Sequence, residues 1–174
     1  MHNIFITFDV LAEYLSPMKR EETVDFNIKA TWHAISRMYN QYGDKFDITA
    51  STGFVLLNID VDHGSPATKI APLMGLEARS LTRMLKTMEE KKWIYRERDP
   101  EDGRSVRIRL SDLGKEKREI SRKSVKEFNN RIRALIPEEK LKVFFEVIKS
   151  INALIDDKNH LNLFIEALEY ETSH

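Results

Sequence analysis

The stretch GLEARSLTRMLKTMEEKKWIYRERDPEDGRSVRIRLSDLG, from Gly75 to Gly114, decides how this chain folds. A helix starting near Glu77 turns by about 100° per residue. Leu81, Met84, Leu85 and Met88 then share one arc, and Arg79, Arg83 and Lys86 lie on the opposite side. One face can bury against a small core while the other is left cationic. Tyr95–Arg98 and Ser105–Leu110 follow as two strands, joined by Asp99-Pro100-Glu101-Asp102-Gly103-Arg104, whose Pro and Gly favour a turn. In the second strand Val106, Ile108 and Leu110 alternate with Arg107 and Arg109, so one face is apolar and the other basic. A basic helix face is ordinarily just solvated surface. Here charge recurs on the very next element, with Arg98 on the first strand. The pair suits a nucleic-acid duplex, with the helix in the major groove and the hairpin along the backbone.

The chain has 174 residues with 28 Lys/Arg against 28 Asp/Glu, a balance that by itself argues against a nucleic-acid binder. The distribution points the other way. Residues 1–64 hold 5 basic and 9 acidic side chains, residues 65–123 hold 16 and 10, and residues 124–174 hold 7 and 9. Positive charge is concentrated in the middle third, as a local patch requires. There is no cysteine, which excludes disulfides, thiolate metal sites and a thiol-based sensor. No apolar run approaches a membrane span and no export signal opens the chain, so the expectation is a cytoplasmic protein without membrane contact.

Working outward, Ile4, Phe5, Phe8, Leu11 and Leu15 repeat with roughly helical spacing before Ser16-Pro17. A helix is expected from about Thr23 to Tyr42 with Gly43 as its stop. Thr49 caps the next, from Ala50 to about Asp60, and Ser65-Pro66 reads as cap and first residue of a short third helix. Pro72 should bend or end that helix. Three helices and a two-stranded hairpin make a winged helix-turn-helix, mainly α, with the last helix (Glu77 to about Lys92) as recognition helix and residues 93–110 as wing. Beyond it, Ser111 caps a long helix, Pro137 begins another, and Asn159 precedes a last segment. These segments carry more apolar residues than a small winged helix can cover. They either fold back on themselves or join a second chain, and a homodimer presenting two recognition helices is favoured. The division expected is 1–45 and 113–174 for dimerisation and 46–112 for DNA binding.

Leu73-Met74-Gly75-Leu76, Ser80-Leu81-Thr82-Arg83, Met88-Glu89, Arg96 through Arg104, and Leu110-Ser111 with Gly114 together resemble the MarR family of bacterial transcriptional regulators. The resemblance spans about residues 24–155 and is most specific from Leu73 to Gly114. It implies a homodimer on a palindromic operator, usually a repressor, often released by a small molecule. Position by position, it implies that Ser80, Thr82 and Arg83 lie near bases and phosphates. It further implies that the wing Arg104 reaches the minor groove, held by Asp102. An arginine in a narrow minor groove meets enhanced negative potential, and a carboxylate can fix its geometry. Arg79 and Lys86 join the set from the helical stripe alone, and Arg98 and Arg107 from the strands. The chain departs from the family in Lys92, which replaces the usual glycine after the recognition helix, in Pro72, and in its lack of cysteine.

Other chemistry finds little support. His33 and His63 lack ligand spacing, and no phosphate loop, nucleophile elbow or dinucleotide fingerprint occurs, so neither an enzyme nor a cofactor is expected. The competing reading is a winged helix that serves as a protein-interaction module without duplex binding. For an effector, the resemblance points to the junction of the first long helix with the DNA-binding lobe. Trp32, Met38, Tyr39, Phe54 and Leu57 are the candidate lining there, though each also suits a plain core.

Overall fold

A computed structural model describes residues 19–75, 77–99 and 105–172. The opening segment through Ser16-Pro17, Leu76 and the turn 100–104 with Asp102 and Arg104 lie outside the described residues. Two compact units are present, one ending at Ser124 and the other starting at Val125.

Helix α1, Val24–Gly43, begins after Thr23 as expected. Gly43 does not act as a left-handed stop, because its φ is −73° and a 3-10 turn over Asp44–Phe46 continues from it. The left-handed residue is Asp47 at φ 60°. What requires glycine at position 43 is proximity, since a Cβ there would lie 2.1 Å from the Ile48 carbonyl oxygen. Helix α2, Ala50–Leu57, opens with a reciprocal box: the Thr52 amide donates to Thr49 Oγ1 at 3.1 Å and the Thr49 amide to Thr52 Oγ1 at 2.9 Å. It ends three residues before Asp60. There the Asp60 carboxylate takes the amides of Asp62 and His63 at 3.0 and 2.6 Å, which folds the chain into a turn instead.

Ser65-Pro66 is a correction. The pair forms a short strand, β1, against the hairpin, and Pro66 rather than Ser65 takes the cap position of α3, Ala67–Leu73. Ser65 Oγ instead accepts the Asp60 amide at 3.0 Å. Proline is compatible with this edge position because an edge strand leaves one side unpaired. The wing is therefore a three-stranded antiparallel sheet in the order β1-β3-β2, with β2 at Ile94–Arg98 and β3 at Val106–Leu110. Helix α3 stops one residue after Pro72, as that residue requires.

Helix α4, Ala78–Glu90, buries Leu81, Leu85 and Met88. Its end is a Schellman turn: the Trp93 amide donates to the Met88 carbonyl and the Lys92 amide to the Glu89 carbonyl, both at 2.9 Å. Lys92 holds φ 58°, the left-handed conformation that the missing glycine would adopt without cost. Met88 and Trp93, the residues that meet in such turns, are both in the core. Lys92→Gly should relieve a left-handed penalty of about 1–2 kcal/mol, offset by the entropy of a more flexible unfolded chain. A net stabilisation of about 0.5–1 kcal/mol is expected as a higher denaturant midpoint at unchanged slope, with Lys92→Ala giving no such gain.

Around α4, Val55, Leu56, Ile59, Ile70, Ile94, Ile108 and Leu110 complete one apolar core that joins α2, α3 and the sheet. Helix α5, Asp112–Leu135, leaves it directly, capped by Ser111 Oγ, which accepts the Gly114 amide at 3.0 Å. The second unit holds the end of α5, α6 (Glu138–Asp156) and α7 (Lys158–Thr172), with Pro137 preceding α6 as expected. On α6, Val143, Phe144, Phe145 and Val147 are all at least 50% exposed.

Candidate nucleic-acid interface

The buried arc of α4 fixes what the rest of the helix presents. Arg79, Ser80, Thr82, Arg83 and Lys86 are all exposed on the remaining surface, as the 3.6-residue repeat demands. Arg79 and Arg83 make no ion pair with a described residue. Lys86 lies 4.0 Å from Glu90, one turn on, with side chains 77% and 64% exposed, a spacing that holds neither charge in place. The Thr82 hydroxyl donates to the Ala78 carbonyl at 2.8 Å, so it offers outward only its acceptor pairs and methyl group. These residues form one cationic surface with little internal neutralisation.

The sheet register sorts the wing arginines. Ile94 faces Leu110, Arg96 faces Ile108 and Arg98 faces Val106, so these share one face. Tyr95 with Arg109 and Glu97 with Arg107 form the other. Arg98 and Arg107 thus lie on opposite faces of the hairpin, which alternation along separate strands does not reveal. Arg98 is exposed. Arg107 is half-buried and donates through Nε to Asp99 at 2.6 Å, where the carboxylate is only 6% exposed. The pair ties the two strands together at the turn end of the hairpin. Asp102 and Arg104 lie outside the described residues.

Three ion pairs tie these elements together, and none of their residues was among the DNA-contact candidates. Arg96 Nε donates to Glu89 at 3.0 Å and so joins β2 to the end of α4. Arg109 donates through Nε to Glu97 at 2.6 Å and through a second nitrogen to the Asp62 carbonyl, linking β3 to the loop before β1. Lys91 meets Asp47 at 2.6 Å, and both Lys91 and Lys117 approach the Trp93 ring at 5.0 and 5.5 Å. Each pair joins residues on different elements or diagonal across a register, and both relations are set by folding.

Of the effector candidates, the structure brings three together. Phe54 of α2 packs against Trp32 and Tyr39 of α1, with ring centroids 5.5 and 5.9 Å apart. Burial there pushes the Tyr39 phenol pKa up. Met38 is exposed and Leu57 is half-buried at a separate cavity below.

Residues 48–106 match the sequence model of the MarR family. The chain is 32% identical over 96 residues to the HTH-type transcriptional regulator SarZ of Staphylococcus aureus, covering 55% of this chain. It spans 65% of the length of that relative. In structure it resembles MepR of S. aureus, solved in complex with DNA, with TM-score 0.68 at 23% identity over 76% of this chain and 98% of that one. It also resembles CouR from Rhodococcus jostii RHA1, solved with p-coumaroyl-CoA, with TM-score 0.67 at 18% identity over 78% and 95% of the two chains. The matched segment begins one residue before the cap of α2 and closes on the first residue of β3, taking in α2, α3, the exposed basic helix α4 and β2; over these residues the chain is similar to the MarR family, and its fold is the winged helix.

Proposed function

We propose that the chain is a DNA-binding transcriptional regulator, acting as a repressor that binds a palindromic operator as a homodimer. Helix α4 enters the major groove through Arg79, Ser80, Thr82, Arg83 and Lys86. The wing lies against the adjoining minor groove, with Arg104 oriented by Asp102 and with Arg98 and Arg107 near the backbone. The observation that carries this reading is the exposed arginine stripe of α4, without an ion pair among the described residues and directly opposite its buried arc. The protein binds rather than catalyses, and acts in the cytoplasm; no helix among the described residues is long and apolar enough to cross a membrane. MepR, solved in complex with DNA, supports the DNA-binding reading, and CouR, solved with p-coumaroyl-CoA, supports regulation by a small molecule. For that effector, the Trp32–Phe54–Tyr39 cluster is the proposed contact, together with Met38; Leu57 lines a different cavity.

The test is anisotropy of a labelled duplex from the upstream region of its own gene, with salt varied. Log affinity should fall linearly with log salt, by about 0.9 per phosphate contacted. A slope near zero would instead favour a protein-interaction module. The dimer is motivated by the exposed apolar side chains of the second unit, among them Phe144, Phe145, Leu154 and Ile155. An obligate interface of this kind buries upwards of roughly 2,000 Å². Sedimentation at micromolar concentration should show twice the 20.4 kDa chain mass. A chain ending at Leu110 should not dimerise; a purely monomeric full chain would overturn the dimer.

A further inference from the structure

Between the end of α2, the loop before β1 and the flank of α5 lies a cavity of about 430 Å³, lined by Leu57, Asn58, Ile59, Asp60, Val61, Asp62, Ser65 and Arg118. Its charges are arranged unusually. Arg118, half-buried on α5, makes no hydrogen bond or ion pair with any described residue, and its Nε is sealed from solvent without an acceptor. A sealed guanidinium N–H normally finds an acceptor, because a buried donor left unsatisfied is costly. Across the cavity neither Asp60 nor Asp62 makes an ion pair with a described residue, although His63 and Arg107 lie close enough to Asp60 to favour its charged form. Asp60 Oδ1 takes the two backbone amides of its turn, leaving the other oxygen open. Those amides, with His63 first, hold the Asp60 carboxyl below the usual carboxylate range, so it is charged at neutral pH. Opposite charges thus line the same cavity without touching.

We propose that this cavity binds a small zwitterion of amino-acid to dipeptide size, its carboxylate received by Arg118 and its ammonium by Asp60 and Asp62. A simple anion would meet two carboxylates and a simple cation would meet the guanidinium, whereas a zwitterion satisfies both walls. The site differs from the aromatic cluster of α1 and α2, and it is wired to the wing: Asp62 accepts Arg109 of β3 through its carbonyl, and Ser65 pairs with Ile108. A ligand joining α5 to this loop would therefore restrain the root of the sheet.

The test is titration of the full chain with free L-alanine, L-leucine, L-glutamate and L-lysine, with their N-acetyl derivatives and with their amides. Amide and arginine Nε–H shifts in ¹⁵N spectra are the readout. At least one free amino acid should shift Asp62, Ser65 and Arg118, and blocking either its ammonium or its carboxylate should weaken binding about tenfold or more, as loss of a charged hydrogen bond does. Asp62→Asn, at an exposed side chain, and Arg118→Gln should each do the same, and Arg118→Lys should restore part of the affinity. Since Arg118→Gln alters a half-buried site, its fold is checked by the unchanged dispersion of core resonances. No saturable shift with any free amino acid at millimolar concentration would overturn the proposal, as would equal affinity for the N-acetyl derivatives or binding indifferent to Asp62→Asn. None of these readouts uses DNA, so failure here leaves the regulator reading intact.

Discussion

Gly114→Ala should destabilise the winged-helix unit by about 3 kcal/mol or more, at the upper end of what overpacking costs. A Cβ at this position would lie 1.8 Å from the Trp93 carbonyl oxygen and 2.9 Å from its carbon. Both atoms are backbone and cannot rotate aside. The same oxygen accepts the Ser111 amide at 3.0 Å, and Ser111 Oγ donates to the Lys92 carbonyl at 2.6 Å. Moving it would disturb the cap of α5 and the Schellman turn of α4 together. Chemical denaturation monitored by Trp93 fluorescence, with Trp32→Phe as background, is the measurement. A midpoint shift equivalent to less than about 1 kcal/mol would mean that α5 does not start against the wing in this way.

Loss of one α4 side chain should separate reading from holding. If Arg83 contacts a guanine edge, Arg83→Ala should cost about 1–3 kcal/mol of discrimination at one position in each half-site. Lys86→Ala should weaken binding to every sequence alike and reduce the salt slope by about 0.9. Arg104→Ala should instead reduce preference for narrow, A·T-rich flanks, and Asp102→Ala should reproduce that change in part. Footprinting of the variants on one palindrome distinguishes these outcomes. Undiminished flank protection with Arg104→Ala would show that the wing does not reach the groove, and the role carried to that residue by resemblance would fail.

The local pattern from Gly75 to Gly114 by itself determined the amphipathic helix, its buried and basic faces and the two strands of the hairpin, because each depends on spacing within one element. The caps at Thr49 and Ser111 were legible for the same reason: their partners lie three residues away. The left-handed backbone at Lys92 was signalled only by the resemblance, since lysine has no intrinsic preference for that region. Tertiary structure alone decided that Ser65-Pro66 becomes a strand, because a two-residue segment takes its state from the neighbour it pairs with, here Ile108 and Arg107 of β3. It decided that Gly43 and Gly114 are needed for close backbone approach, and that Arg107 pairs with Asp99 on the face opposite Arg98. It also placed Arg118 on the same cavity as Asp60 and Asp62. Register and long-range contact carry no periodic signal in the chain. They follow from packing the whole core at once, and the chemistry they assemble is visible only after that packing is complete.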